Sequence, residues 1–251
     1  MRPYNSVRFS TPNLMQIVCR MRTLHNDGDI MFQTLLNKLS AHPGLWGFLR
    51  RVVEDGFDAE KDVIRRELDP WRDRGKRQFL DFGCGTGEFS ICFPPESYTG
   101  VDIARHYIHY AGRRRPGRYA VMSGAGLGFA SGSFDGALVL GVFHHLPDDL
   151  VRTVLADLHR VLRPGATLLV MEDIPSPRPW NVLGHLMHWL DRGDYIRQDD
   201  AYRALMQPYF SLCRSYHIKS GICDLAVYVL DRLDQWEAVE SEAPVFRRVG
   251  E

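Results

Sequence analysis

The sequence predicts an α/β protein with a doubly wound, mostly parallel sheet, and three observations carry this prediction. Residues 79–89, FLDFGCGTGEF, lead from an apolar strand into three glycines at alternate positions, after which we expect a helix. Asp102 stands at the end of the next predicted strand, in the run YTGVD. Residues 77–173 alternate strand and helix patterns, which indicates parallel strands with helices on both faces of the sheet.

Local patterns place each element along the chain. Strands are expected at 78–82, 98–101, 119–122, 137–140 and 167–171, and an antiparallel pair at 213–218 and 222–230 turns at Gly221. Helices are expected at 58–68, 104–113, 180–190 and 201–206. We divide the chain into an N-terminal helical extension over 1–75, a core domain over 76–235 with a helical insertion at 175–197, and a charged tail over 236–251.

The composition narrows the classes of function. The chain has 251 residues, with 31 basic and 31 acidic side chains and a sequence pI near 7.1. This balance argues against a nucleic-acid partner held through its phosphates. Five cysteines at irregular spacing form neither a zinc pattern nor a disulfide framework, and the N-terminal residues lack the apolar core of a signal peptide. We therefore expect a cytoplasmic protein without a membrane span.

The glycine turn indicates the kind of ligand. A dinucleotide fingerprint that starts at Gly83 needs a third glycine where the chain has Glu88, and the lysine of a phosphate loop is also missing. Asp81 precedes the turn, and its carboxylate would repel a pyrophosphate but suits a cationic ligand with an amino group, such as S-adenosylmethionine. Asp102 lies 19 residues after Gly83, at the place where such sheets bind a ribose.

Four segments in register resemble one known family. They are residues 79–89, 133–140 (SFDGALVL), 142–148 (VFHHLPD) and 158–166 (LHRVLRPGA). Together they resemble the class I S-adenosylmethionine-dependent methyltransferases, in the small-molecule branch related to ubiquinone biosynthesis, also described as methyltransferase type 11. The resemblance covers residues 77–173. It implies a seven-stranded sheet, S-adenosylmethionine as cofactor with S-adenosylhomocysteine as product, and methyl transfer to a small molecule, with an oxygen nucleophile expected.

The resemblance also implies which residues bind the cofactor. Asp81 would lie near the methionine portion or else cap the loop; Asp102 would accept from the ribose hydroxyls or else cap the following helix. Ile103 would pack on the adenine face. Ser123 replaces an aspartate that many relatives have, so its contact to adenine would carry no charge. The full cofactor set comprises Asp81, Gly83, Cys84, Gly85, Thr86, Gly87, Asp102, Ile103, Ser123, Gly124, Leu140 and Gly141.

Two histidines follow the fourth predicted strand. His145, more than His144, is the candidate for a general base that takes a proton from the acceptor. The other interpretation is that both histidines shape the pocket wall. We expect no metal, because an apolar helical stripe accounts for the segment that holds His185 and His188. The same segment carries Trp180 and Trp189, which would form either a lid over the acceptor or ordinary packing.

Two alternatives to methyl transfer stay open. An aminopropyl transferase uses the same fold but needs several acidic groups for its polyamine, whereas a non-catalytic module would bind the cofactor as a structural or partner-binding element. Methylation of DNA amino groups is disfavoured, because residues 140–144 read LGVFH where such enzymes carry Asn/Asp-Pro-Pro-Tyr/Phe. The expected partner is a small-molecule acceptor, and a homodimer is left open.

Overall fold

The computed structural model describes residues 50–124, 126–174 and 195–233, together with residue 44. Every strand and helix named below belongs to one compact unit, Gly47–Glu251. The predicted helix at 180–190, most of the N-terminal extension and the predicted tail lie outside the described residues. The proposed division into extension, core domain, insertion and tail therefore stays a prediction.

A seven-stranded sheet forms the centre of this unit, with the strand order β3-β2-β1-β4-β5-β7-β6. Neighbours from β3 to β5 pair in parallel, and β7 pairs antiparallel with both β5 and β6. The prediction of a mostly parallel, doubly wound sheet is confirmed. The strands are β1 Phe79–Phe82, β2 Tyr98–Asp102, β3 Arg118–Val121, β4 Phe134–Leu140, β5 Leu162–Asp173, β6 Phe210–Ser220 and β7 Cys223–Arg232.

Four α-helices are described around this sheet: α1 Asp58–Glu67, α2 Arg105–Arg114, α3 Asp148–Val161 and α4 Asp199–Met206. In α3 the buried residues Val151, Val154, Leu155 and Leu158 recur at three- and four-residue spacing, which gives the helix one apolar face. Asp148 and Asp149 lie in its first turn, where negative charge is stabilised by the helix dipole.

The hydrophobic core lies on both faces of the sheet, because successive strand residues point to opposite sides. Leu80 and Phe82 of β1 pack on one face with the apolar side of α3. Phe79 packs on the other face, with Val63 and Ile64 of α1. The central strands are therefore buried on both sides, as is typical of parallel sheets.

The element after the glycine turn differs from the expectation. Glu88–Cys92 forms a short 3-10 helix where we expected an ordinary helix to begin. Phe93 follows it in extended conformation, since a residue before proline is disfavoured in the helical region and Pro94 comes next. The chain then enters β2 after a second short turn, so no full helix fits between β1 and β2. The β6–β7 turn holds Gly221 at a φ of 54°, as the turn prediction requires.

Candidate cofactor and active site

The glycine turn continues directly from β1 and bends over the end of β2. The backbone N–H groups of Gly83 and Cys84 both donate to the Val101 carbonyl, at 2.8 and 3.0 Å. Gly83, Gly85 and Gly87 have φ values of 76°, 51° and 70°, in the left-handed region that favours glycine. The sequence pattern of alternate glycines thus corresponds to three left-handed residues in one turn.

The three glycines face different surroundings. A Cβ on Gly83 would lie 2.4 Å from Val142 Cγ2, so the turn is packed against the segment that follows β4. A Cβ on Gly87 would lie 2.7 Å from the Tyr119 hydroxyl. A Cβ on Gly85 meets no atom of the described residues within 4 Å, although the backbone there is fixed. Gly83 and Gly87 are needed for packing, whereas Gly85 presents bare backbone to open space, as close approach of a ligand requires.

Asp102 fixes the exposed part of this turn. Its Oδ2 accepts the N–H of Gly85 at 2.9 Å, and its Oδ1 accepts the N–H of Ala104 at 2.7 Å. Ala104 is the N-cap residue of α2, so Asp102 does not itself occupy the N-cap position weighed for it and instead holds the residue before the helix. The carboxylate therefore ties the glycine turn to the end of β2 and remains half-buried at the carboxyl edge of the sheet. Its ribose role is a proposal.

Asp81 lies beneath the turn rather than beside it. It is only 2% exposed, and its Oδ2 accepts the hydroxyl of Tyr98 at 2.5 Å. Burial raises the pKa of Asp81 to about 7; the hydrogen bond from Tyr98 opposes this rise, and the negative charge of Asp102 adds to it. The described partner of Asp81 is thus a phenol, a residue that the sequence pattern did not single out.

The remaining residues of the predicted cofactor set divide by exposure. Cys84 is buried, and burial raises the pKa of its thiol far above the usual range, which makes it unreactive. Thr86 is half-buried in the turn. Ile103 is 73% exposed, directly after Asp102. A large apolar side chain exposed at this edge provides a surface for a flat, apolar ligand group.

The loop after β3 combines an exposed residue with a packed one. Ser123 is exposed, whereas Gly124 lies against the core, since a Cβ there would be 2.8 Å from Val154 Cγ2 and 3.1 Å from Phe82 Cζ. Gly124 is therefore required by packing. Gly126, further along the loop, has nothing within 4 Å of its Cβ position.

The segment after β4 completes the carboxyl edge. Leu140 ends the strand and is buried, and Gly141 continues the sheet ladder through an N–H bond to the Met171 carbonyl at 2.9 Å. Gly141 has a φ of 64°, which turns the chain away from the sheet into the 3-10 helix Phe143–His145. Both predicted residues thus lie where β4 stops.

The two histidines lie in different environments. His144 is buried, and its Nδ1 lies 2.8 Å from Oε2 of Glu172 at the end of β5. His145 is exposed, and its ring centroid lies 4.0 Å from that of His144. His145 is therefore the histidine accessible to a ligand, whereas His144 belongs to the interior.

Residues 80–170 match the family model described as "Methyltransferase domain". These residues form a class I S-adenosylmethionine-dependent methyltransferase domain. This confirms the family that the four sequence segments indicated, including its branch related to ubiquinone biosynthesis, and S-adenosylmethionine is the cofactor that defines the family.

Curated relatives agree with this assignment. O-methyltransferase rstn1 of Aspergillus nomiae is 31% identical over 153 residues, which cover 55% of this chain and 66% of the relative. Demethylmenaquinone methyltransferase of Thermus thermophilus is 28% identical over 142 residues, covering 53% of this chain and 63% of the relative. The chain thus spans less than two thirds of the length of these relatives.

The fold is shared with solved methyltransferases. The structure of magnesium protoporphyrin IX methyltransferase from Synechocystis, with S-adenosylhomocysteine bound, superposes with a TM-score of 0.59 at 18% identity. The match covers 74% of this chain and 88% of that one. At this identity the likeness concerns the fold, which is the seven-stranded arrangement predicted for the methyltransferase.

Several features of the methyltransferase site were missed in the sequence. Arg197 is buried against the backbone after β4, where it donates to the Phe143 carbonyl. Glu88 is held by Arg51 and Arg115, so it joins the residues before α1 to the turn before β3. Glu172 was not singled out; the available signal was an acidic residue directly after the apolar run of β5.

Two further expectations concern a metal site and a membrane-spanning helix, and they are compared here with the described ranges. Within them, no cluster of three or more His, Cys, Asp or Glu side chains is arranged to hold a metal ion. His185 and His188 lie outside these ranges. Every helix in the same ranges is too short or too polar to cross a lipid bilayer.

Proposed function

We propose that this chain transfers a methyl group from S-adenosylmethionine to an oxygen atom of a small molecule. One observation carries the cofactor part of this proposal. The N–H of Gly85 donates to Asp102 at 2.9 Å, while no atom of the described part of the chain lies within 4 Å of its Cβ position. Such a fixed, bare turn beside a carboxylate suits a ligand that combines a close backbone approach with two neighbouring hydroxyl groups.

The residues around this turn fit the parts of S-adenosylmethionine. Each oxygen of Asp102 accepts one backbone N–H, which leaves acceptor capacity for the ribose hydroxyls. Ile103 offers its exposed side chain to the adenine face, and Ser123 with the backbone of Gly124 would contact the adenine edge. Asp81, buried near the end of β1, would lie near the methionine portion. Leu140 and Gly141 would border the same ligand from the end of β4.

The chain's contribution to the reaction is mainly alignment. The sulfonium of the cofactor supplies an already activated methyl group. The protein has to hold the acceptor oxygen in line with it and exclude water, and such positioning is worth up to roughly 7–11 kcal/mol. Alignment of this kind does not require a triad of catalytic side chains.

His145 is our candidate for the group that takes the acceptor proton. It is exposed at the carboxyl edge, in the loop that touches Gly83 through Val142. A histidine near neutral pH can accept a proton from a phenol as the oxygen attacks. Oxygen as the acceptor atom is supported by the relative named O-methyltransferase rstn1, although the relative from Thermus thermophilus is named for demethylmenaquinone.

A labelled-methyl assay tests the proposal. The purified chain is incubated with S-adenosylmethionine carrying a deuterated methyl group and with a panel of phenols, carboxylic acids and hydroquinones. Mass spectrometry should show a methylated product that carries three deuterons, and NMR should place the labelled methyl group on oxygen. Label on carbon would contradict the oxygen assignment. Tight cofactor binding with no transfer to any acceptor would favour the non-catalytic module.

A further inference from the structure

The buried carboxylate of Glu172 accepts hydrogen bonds from the backbone of the segment after β4. Its Oε1 accepts the N–H groups of Val142 and Phe143 at 2.9 and 2.7 Å. Its Oε2 accepts the N–H of His144 at 3.3 Å and lies 2.8 Å from the Nδ1 of the same residue. Glu172 is 0% exposed, so these bonds form away from water, where an ionised acceptor binds N–H groups strongly.

In this arrangement the Glu172 side chain accepts the hydrogen bonds that the backbone of a neighbouring strand would otherwise accept. The ladder between β4 and β5 ends with the bond from Gly141 to Met171. The next three N–H groups would be unpaired in the interior if they did not turn toward the adjacent residue of β5, which is Glu172. The conformation of the loop therefore depends on one carboxylate at the end of a neighbouring strand.

Arg197 holds the carbonyl groups of the same loop. Its guanidinium donates to the carbonyls of Phe143 and Leu146, at 2.7 and 2.6 Å, and binds Asp148 Oδ1 at 2.7 Å. The N–H of Tyr195 donates to the His144 carbonyl at 3.0 Å. A carboxylate thus holds the N–H groups of the loop and a guanidinium holds its carbonyls, from two separate parts of the chain.

Glu172 also determines where the exposed histidine lies. Its carboxylate orients the buried ring of His144 through Nδ1, and the ring of His145 rests on that of His144 at 4.0 Å. The hydrogen bonds of the cofactor turn run to Val101 and Asp102 instead, and the turn meets the loop at the side chain of Val142. The two halves of the site are therefore anchored by different carboxylates.

We propose that Glu172 is the positioning residue for the acceptor half of the site, and that it acts by holding the loop that carries His145. This assignment rests on the proposed function. It predicts a separation of effects, because the loss of Glu172 should disturb the acceptor and the reaction while the cofactor turn stays intact.

The test compares Glu172→Gln with the wild-type chain. The amide keeps the shape of the side chain but replaces one accepting oxygen by an NH₂ group, so one pair of loop donors loses its acceptor. Amide hydrogen exchange at residues 142–144 should quicken by at least about tenfold. For an acceptor that the wild type methylates, kcat/KM should fall by about 10²-fold, while the calorimetric Kd for S-adenosylmethionine should stay within about twofold.

Asp135→Asn is the matched control, because it makes the same chemical change at the other end of β4. Asp135 accepts the N–H of Gln78 at 2.8 Å and pairs with Arg163. This variant should alter neither the exchange at residues 142–144 nor the acceptor kinetics. An equal loss of acceptor turnover in both variants would mean that Glu172 contributes only general stability, and would overturn the proposal.

The other outcomes are equally decisive. Unchanged exchange in Glu172→Gln would show that the carboxylate does not hold the loop. A fall in cofactor affinity as large as the fall in acceptor kcat/KM would show that Glu172 serves the whole site. A wild-type chain that transfers no methyl group would overturn the proposed function and the acceptor part of this proposal, whereas exchange would still decide whether Glu172 holds the loop.

Discussion

Replacing Glu60 by glutamine should stabilise the folded chain at alkaline pH. Glu60 lies on α1 with 0% of its surface exposed, and neither carboxylate oxygen has a hydrogen-bond partner within the described part of the chain. The nearby Ser220 hydroxyl donates its one proton to the Glu54 carbonyl at 3.1 Å, so that proton is not available to Glu60. Glutamine keeps the shape of the side chain and removes its charge.

The expected magnitude follows from the pKa of the buried carboxyl. Burial raises the pKa of Glu60 from 4.5 to about 7, and the negative charge of Glu54 adds to the rise. Below pH 4.5 the group is protonated in both states. Between pH 4.5 and the folded-state pKa near 7 the unfolded chain ionises while the folded chain stays protonated, and this costs the folded state about 3 kcal/mol by pH 8. Glutamine carries no such cost.

The assay is urea unfolding of both proteins at pH 5 and pH 8, followed by far-UV circular dichroism. The stability gained by Glu60→Gln should be about 2–3 kcal/mol larger at pH 8 than at pH 5. Asp81, whose pKa is also raised, is present in both proteins and cancels from the difference. Glu96→Gln, at an exposed carboxylate, is the control and should show no such change. A gain that is independent of pH would refute the reasoning.

Three further predictions concern the site. Gly85→Val should abolish S-adenosylmethionine binding in calorimetry, because the side chain would occupy the approach to the turn and valine is strained at a φ of 51°; far-UV circular dichroism should change little, since the strain is confined to the turn, and retained affinity would exclude this turn as the cofactor site. Asp102→Ala should weaken cofactor binding by roughly 1.5–3 kcal/mol and also lower the Tm, because the carboxylate holds two backbone N–H groups; a lower Tm with unchanged Kd would leave only this structural role. His145→Ala should lower kcat by ~10²–10⁴-fold, and less for acidic acceptors. A small, uniform loss across acceptors of different pKa would mean that His145 only shapes the pocket.

The features predictable from sequence are those set by short-range patterns. The apolar run of β1, the alternate glycines and Asp102 are specified within a few residues, and the structure brings them together through Val101 and Gly85. The paired histidines were also placed correctly at the edge after β4. The local sequence alone was sufficient because each of these features depends on backbone geometry at one strand end.

The contacts that sequence reasoning missed join residues far apart in the chain. Glu172 binds a loop about 30 residues before it, and Arg197 binds the same loop from about 50 residues after it. From the sequence alone, either side chain could equally be assigned to the ligand pocket. Only the order of the strands in the sheet shows that both reach the loop after β4. The 3-10 helix at Glu88–Cys92 was mispredicted for a different reason, because the glycine turn favoured a helix while Pro94 two residues beyond Cys92 left no room for one.

The place of β7 between β5 and β6 has a consequence for synthesis of the chain. Residues 167–173 of β5 find their second neighbour only in residues 225–231, so a nascent chain that has completed β5 exposes an unpaired and strongly apolar strand edge. The β6–β7 hairpin, with its two-residue turn, can form by itself and then add to that edge as one piece. Until it does, the growing chain is open to aggregation through β5. Residues 225–231, which are synthesised after β5, thus protect the strand whose end carries Glu172.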